Sequence, residues 1–83
     1  MLKADGLDAA LIGIASPAGR QEVIVYDYDK CVDIFKRNND WSHDEAVEWM
    51  EFNVVSAYVG ESTPIFVHVD DDLNPIISVA NNL

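Results

Sequence analysis

Two apolar segments, 9–15 (AALIGIA) and 22–26 (EVIVY), are separated by little more than a turn, and this spacing constrains the fold more than any other feature of the chain. Ser16–Pro17–Ala18–Gly19 supplies turn-forming residues. Ile12 and Ile14 are β-branched and Gly13 interrupts any helical reading, so 9–15 is expected to be a buried strand. Segment 22–26 is β-branched, aromatic and apolar on both faces, which predicts a central strand. A connection this short allows only antiparallel pairing.

Helical signals follow. Asp27 or Asp29 can cap a first helix, because an Asp side chain accepts from the free N–H groups of a first turn. Cys31, Ile34 and Phe35 then fall at i, i+3, i+4 as the buried stripe. Lys36 and Arg37 suit the helix C-terminus, and Asn38–Asn39–Asp40 ends it. Ser42 with Glu45 three residues on is a capping box for a second helix, expected over 42–59, and Asp44 adds favourable charge to its first turn. Val47, Met50, Val54, Ala57 and Tyr58 keep helical spacing, while Trp49, Phe52 and Val55 widen the apolar surface beyond one stripe. Gly60 is the expected stop. Thr63–Pro64 opens a third strand, 65–69 (IFVHV), a loop follows at 70–75 (DDDLNP), and 76–83 is an edge strand or a loose tail.

The order β-β-α-α-β-(β) predicts one α+β domain over 1–83. It is a two-layer sandwich with a mostly antiparallel sheet of three or four strands and a helix pair on one face. Two consecutive helices return the chain to the end of the sheet it left, so strand 65–69 is expected antiparallel to 22–26.

Fifteen acidic residues against five basic ones leave a net charge of −10. Such a surface repels nucleic-acid phosphates and anionic membranes, so direct binding to either is not expected. No apolar run approaches the roughly 18 residues of a membrane span. Acidic residues ahead of the first apolar stretch argue against an export signal, and a single cysteine argues for a reducing cytoplasm. A domain this small and without a disulfide gains from dimerising.

Little in the sequence suggests catalysis, and no catalytic residue or cofactor is assigned. Cys31 falls near a helix N-terminus, but Asp27, Asp29 and Asp33 oppose a thiolate, and its place on the apolar stripe makes it a core residue. On an extended strand His68, Asp70 and Asp72 share one face, a weak metal-ligand pattern. The alternative for them is a solvated strand end, and the loop lacks the spacing and glycine of a calcium site. His43 sits at a helix start. Asp44, Glu48 and Glu51 form an acidic helical stripe with nothing apolar bracketing it to raise a pKa. Asn53, among Phe52, Val54 and Val55, is read as a structural amide that hydrogen-bonds a neighbouring backbone, with a binding role as the alternative. Trp41, Trp49, Phe52 and Tyr58 are too many aromatics for so small a core to bury, and Trp and Tyr are favoured interface anchors. Asp44, Glu48, Trp49, Glu51 and Phe52 are therefore the expected binding residues for a protein with a basic surface.

The stretches 26–31 (YDYDKC) and 44–67 (DEAVEWMEFNVVSAYVGESTPIFV) resemble a group of small tailed-bacteriophage and prophage proteins with the pattern D-x-D-K-C followed by E-F-N-V-V-x-A-Y-V-G-E-x-T-P-x-F. Ser56 stands where that group often has Gly. The resemblance implies a phage product acting in the cytoplasm of a bacterial host, and it brings no site residues with it. The leading expectation is an accessory protein that binds a host protein, with a nucleic-acid-binding or defence machine blocked by charge mimicry as its sharpest form. A compact chain of this length has a radius of gyration of about 12 Å and spans roughly 30 Å. Duplex DNA of that length carries roughly 18 charges. Fifteen acids approach that number only if most share one face, and ordinary solubility explains the same count. The other expectations are a homo-oligomeric structural phage protein and, least favoured, a metal-dependent enzyme.

Overall fold

β1 (Leu11–Ala15) and β2 (Val23–Asp27) pair antiparallel, as their short connection requires. The computed structural model describes residues 1–19, 21–57 and 60–69. A β-bulge between Leu11 and Gly13 leaves Ile12 without a partner in the register. A third strand, β3 (Ile65–Val67), flanks β2 on the other side, giving the order β1-β2-β3 and the central position expected for 22–26. With two helices completing it, the domain is a small α+β fold with a mixed sheet.

Two expectations about the strands need correction. β3 runs parallel to β2, with Val25 opposite Ile65 and Asp27 opposite Val67. The antiparallel expectation treated the helices as a complete return trip and ignored residues 56–64. At up to about 3.3 Å per residue that connection can recross a five-residue strand. Nor is 9–15 a buried strand. Asp8–Ala10 form a 3-10 turn, and Leu11, Ile12 and Ile14 are 41%, 50% and 56% exposed. An apolar run is buried only where a second layer covers it. Here the core forms around Ile24 and Tyr26 of β2, while β1 lies at the sheet's edge.

α1 (Tyr28–Asn39) starts where expected: the Asp27 carboxylate accepts the Lys30 backbone N–H at 3.2 Å. Cys31 and Ile34 are buried and Phe35 is half-buried, so the predicted stripe holds. The helix ends at Asp40, whose φ of 54° is a left-handed cap conformation that Asp tolerates. α2 (His43–Trp49) opens on a complete capping box. Glu45 N–H donates to Ser42 Oγ at 3.2 Å, and Ser42 N–H donates to Glu45 Oε1 at 3.0 Å.

The second helix does not continue as an α-helix to 59. From Met50 to Val55 the backbone widens into a π-helix. Phe52, Val54 and Val55 are poor α-helix formers, and the Ser56 hydroxyl donates to the Glu51 carbonyl five residues back, a separation that matches the wider turn. The segment stops at Val55, while Gly60, at φ 88°, opens a separate 3-10 turn, Gly60–Ser62. Ala57 is accordingly exposed, not buried as its spacing suggested. Tyr58, Asp70, Asp72 and the segment 76–83 lie outside the described residues.

The core joins both layers. Leu7, Tyr26, Cys31, Val32 and Met50 are fully buried, with Ala46 beside them. The Tyr26 ring stacks on Phe66 at 5.5 Å between centroids, and its hydroxyl oxygen accepts the Ala4 N–H at 2.8 Å. The parallel neighbour and the N-terminal segment are thereby tied to one side chain of the central strand.

Candidate functional site

The capping box fixes where α2 begins, and therefore which residues face away from the core. With Ala46 and Met50 turned inward, Glu45, Glu48, Trp49 and Phe52 are left on the solvent side. Glu45 and Trp49 are four apart on α2, so that carboxylate lies one turn from the ring, and Glu48 lines the same cleft as Phe52. Trp41, just before the cap, is half-buried and packs its ring against Trp49 at 5.4 Å and 48°. Together with Asn53 these residues line an open cleft of about 410 Å³. Trp49 is 43% exposed and Phe52 74%. Two large aromatic faces therefore stand in water beside two carboxylates.

The electrostatics of the cleft are one-sided. Among the described residues no Lys or Arg lines it. Among the described residues the ion pairs are Lys3 with Asp8 and Asp29 with His68, and neither reaches Glu45 or Glu48. The Glu45 carboxyl is held below its ordinary range, chiefly because it accepts the Ser42 backbone N–H and further through the Ser42 side chain. It is ionised at neutral pH. Asn53 donates to the Trp49 carbonyl at 3.4 Å and also lines the cleft. The backbone hydrogen bond expected of Asn53 is present, but the residue is exposed and not buried among its neighbours.

The expected binding residues divide into two sets. Glu48, Trp49 and Phe52 come together in the cleft. Asp44 is exposed in the first turn but does not line it. Glu51 turns toward α1, where the buried Tyr28 donates its hydroxyl to Glu51 Oε2 at 2.8 Å. Burial, that hydrogen bond and the nearby carboxylates push the Tyr28 phenol up to about 12. Sequence reasoning assigned Glu45 to capping alone and did not place Trp41 in the site. The i, i+4 relation of Glu45 to Trp49 is the signal that could have found it.

His68 is exposed, 3.6 Å from Asp29 and against the Tyr28 ring at 4.5 Å. The other members of its predicted metal pattern, Asp70 and Asp72, lie outside the described residues. Among the described residues no three His, Cys, Asp or Glu side chains are grouped to hold a metal ion. Cys31 is buried, and burial followed by the Asp27 charge pushes its thiol up to about 11. A protonated thiol with no exposed surface is a core residue and not a nucleophile.

No protein-family model, curated protein or solved structure matches this chain. Among the described residues no helix is long and apolar enough to cross a membrane.

Proposed function

We propose that this chain is a small acidic accessory protein that binds a protein partner with a basic surface through the cleft face of α2 and the π-helical segment. The single observation carrying this reading is the exposed Trp49–Phe52 pair, flanked by Glu45 and Glu48 with no cation among the described lining residues. Aromatic side chains at the centre of an interface hold a complex, and charges around them speed encounter and select the partner. The phage resemblance of 26–31 and 44–67 supplies the setting, the cytoplasm of a bacterial host. The net charge of −10 favours a nucleic-acid-binding or defence protein whose basic groove this chain occupies in place of phosphates.

Capture from bacterial lysate at low and high salt, followed by mass spectrometry, tests the reading. A nucleic-acid-binding protein should be captured at low salt, displaced by duplex DNA, and lost with Glu48→Lys. Capture that is unchanged by salt, or by Glu48→Lys, contradicts it.

A second reading is self-association, with the protein acting as a homo-oligomeric component. Its support is β1, an edge strand with Leu11, Ile12 and Ile14 exposed. An exposed apolar edge is a template for strand pairing. Light scattering after size exclusion should then give a dimer mass, and Ile14→Lys should reduce it to the monomer.

A further inference from the structure

We infer that the cleft is a receptor for a single guanidinium group, an arginine side chain presented by the partner. The inference rests on the partner-binding reading above and names the chemistry of the group bound. Three features of the cleft select a cation. The exposed faces of Trp49 and Phe52 offer the negative side of an aromatic quadrupole. Glu45 and Glu48 add two carboxylates, and among the described residues no cation lines the cleft beside them. Asn53 on the lining adds a neutral amide able to accept a hydrogen bond.

The same features favour guanidinium over ammonium. Guanidinium is planar, weakly hydrated and able to stack on a ring while its edge donates forked hydrogen bonds to a carboxylate. A lysine ammonium is a compact, strongly hydrated charge and gains less from a flat aromatic wall. Trp41 packs against Trp49 and fixes the attitude of that ring, so it is a positioning residue.

Both tryptophans of the chain line this cleft, so tryptophan emission, excited selectively over tyrosine, reports on it. The probes are three tripeptides with blocked ends, Gly-Arg-Gly, Gly-Lys-Gly and Gly-citrulline-Gly, titrated at constant physiological ionic strength. The arginine probe should change the emission saturably. The lysine probe should bind several-fold more weakly, and the uncharged citrulline probe should leave the emission unchanged. Glu48→Gln should weaken the arginine probe about two- to fivefold, the range for an exposed ion pair. Phe52→Ala should do the same through its aromatic face, about two- to fivefold. Both side chains are exposed, and circular dichroism of each variant checks that the fold is intact.

Equal responses to arginine and citrulline overturn the inference, as does arginine binding that neither substitution weakens. Lysine binding as tight as arginine overturns the guanidinium assignment. Salt-sensitive capture of a host protein with no response to the arginine probe sinks the cleft assignment and leaves the partner-binding reading standing. A saturable arginine response without any host partner does the reverse.

Discussion

Ser42 and Glu45 satisfy each other's backbone N–H groups, so the start of α2 hangs on two side chains. Ser42→Ala should cost about 1 kcal/mol, typical of a lost N-cap. For a domain this size that corresponds to a fall of about 4–8 °C in Tm. A thermal melt giving an unchanged Tm would mean the cap is dispensable. The Glu45 contribution carries a pH signature. Its pKa is lowered in the folded state, so the stabilisation is complete above the ordinary Glu value and is lost as pH falls through the lowered one. The Tm difference between the native chain and Glu45→Ala should therefore shrink on acidification. Cys31 has the opposite sign. Its pKa rises from 9.0 to about 11 on folding, so the unfolded chain ionises first and stability declines as pH climbs through that interval. Cys31→Ala should flatten this alkaline decline. The same burial predicts that an aromatic disulfide reagent leaves the native thiol unmodified at pH 8 and reacts promptly in denaturant.

At the scale of elements, the junction of α2 with the π-helical segment decides the site. Met50 stands at that junction with no exposed surface and anchors the wider turn in the core. Beyond it the i, i+3, i+4 rule no longer describes which residues share a face, because the hydrogen bonds span five residues. Met50→Ala should cost about 2–5 kcal/mol through lost burial and a cavity. Met50→Leu conserves volume and should cost less than about 1.5 kcal/mol. Denaturant midpoints at constant slope measure both. Similar costs for the two would indicate that the core closes around the shorter side chain. Trp41–Trp49 and Tyr26–Phe66 are contacts of a different kind. Tyr26–Phe66 joins two strands and Trp41–Trp49 joins the loop before α2 to the end of that helix, and neither follows from the periodicity of one segment.

For the whole molecule, an excess of ten negative charges makes self-repulsion the dominant long-range term. Among the described residues the Lys3–Asp8 ion pair and the Asp29–His68 contact are exposed and contribute little. Raising ionic strength from about 0.01 M to about 0.15 M shortens the screening length from about 30 Å to about 8 Å. Tm should therefore rise with salt over that range, whereas partner affinity at the acidic cleft should fall. A Tm that falls with salt would show that attractive pairs outweigh the repulsion.

Local interactions were legible in the residues themselves. Short-range steric and hydrogen-bond preferences determine the β1–β2 hairpin, the Asp27 cap, the Ser42–Glu45 box and the buried stripe of α1, because each involves residues only a few positions apart. The α+β class followed from the order of these pieces, whereas the meeting of Glu48 and Trp49 with Phe52 depended on the π-helical turn as well as on their places in the chain. Tertiary structure decided what depends on distant partners. The direction of β3 depended on the reach of 56–64, the exposure of Leu11, Ile12 and Ile14 on which strand the core formed around, and the separation of Glu51 from Glu48 on the Tyr28 hydroxyl. Trp41 entered the cleft in the same way, through the ring it packs against rather than through any pattern it belongs to. Local chemistry acts over one turn and is written in neighbouring residues, whereas burial and strand direction are settled only when separate elements compete for the same core.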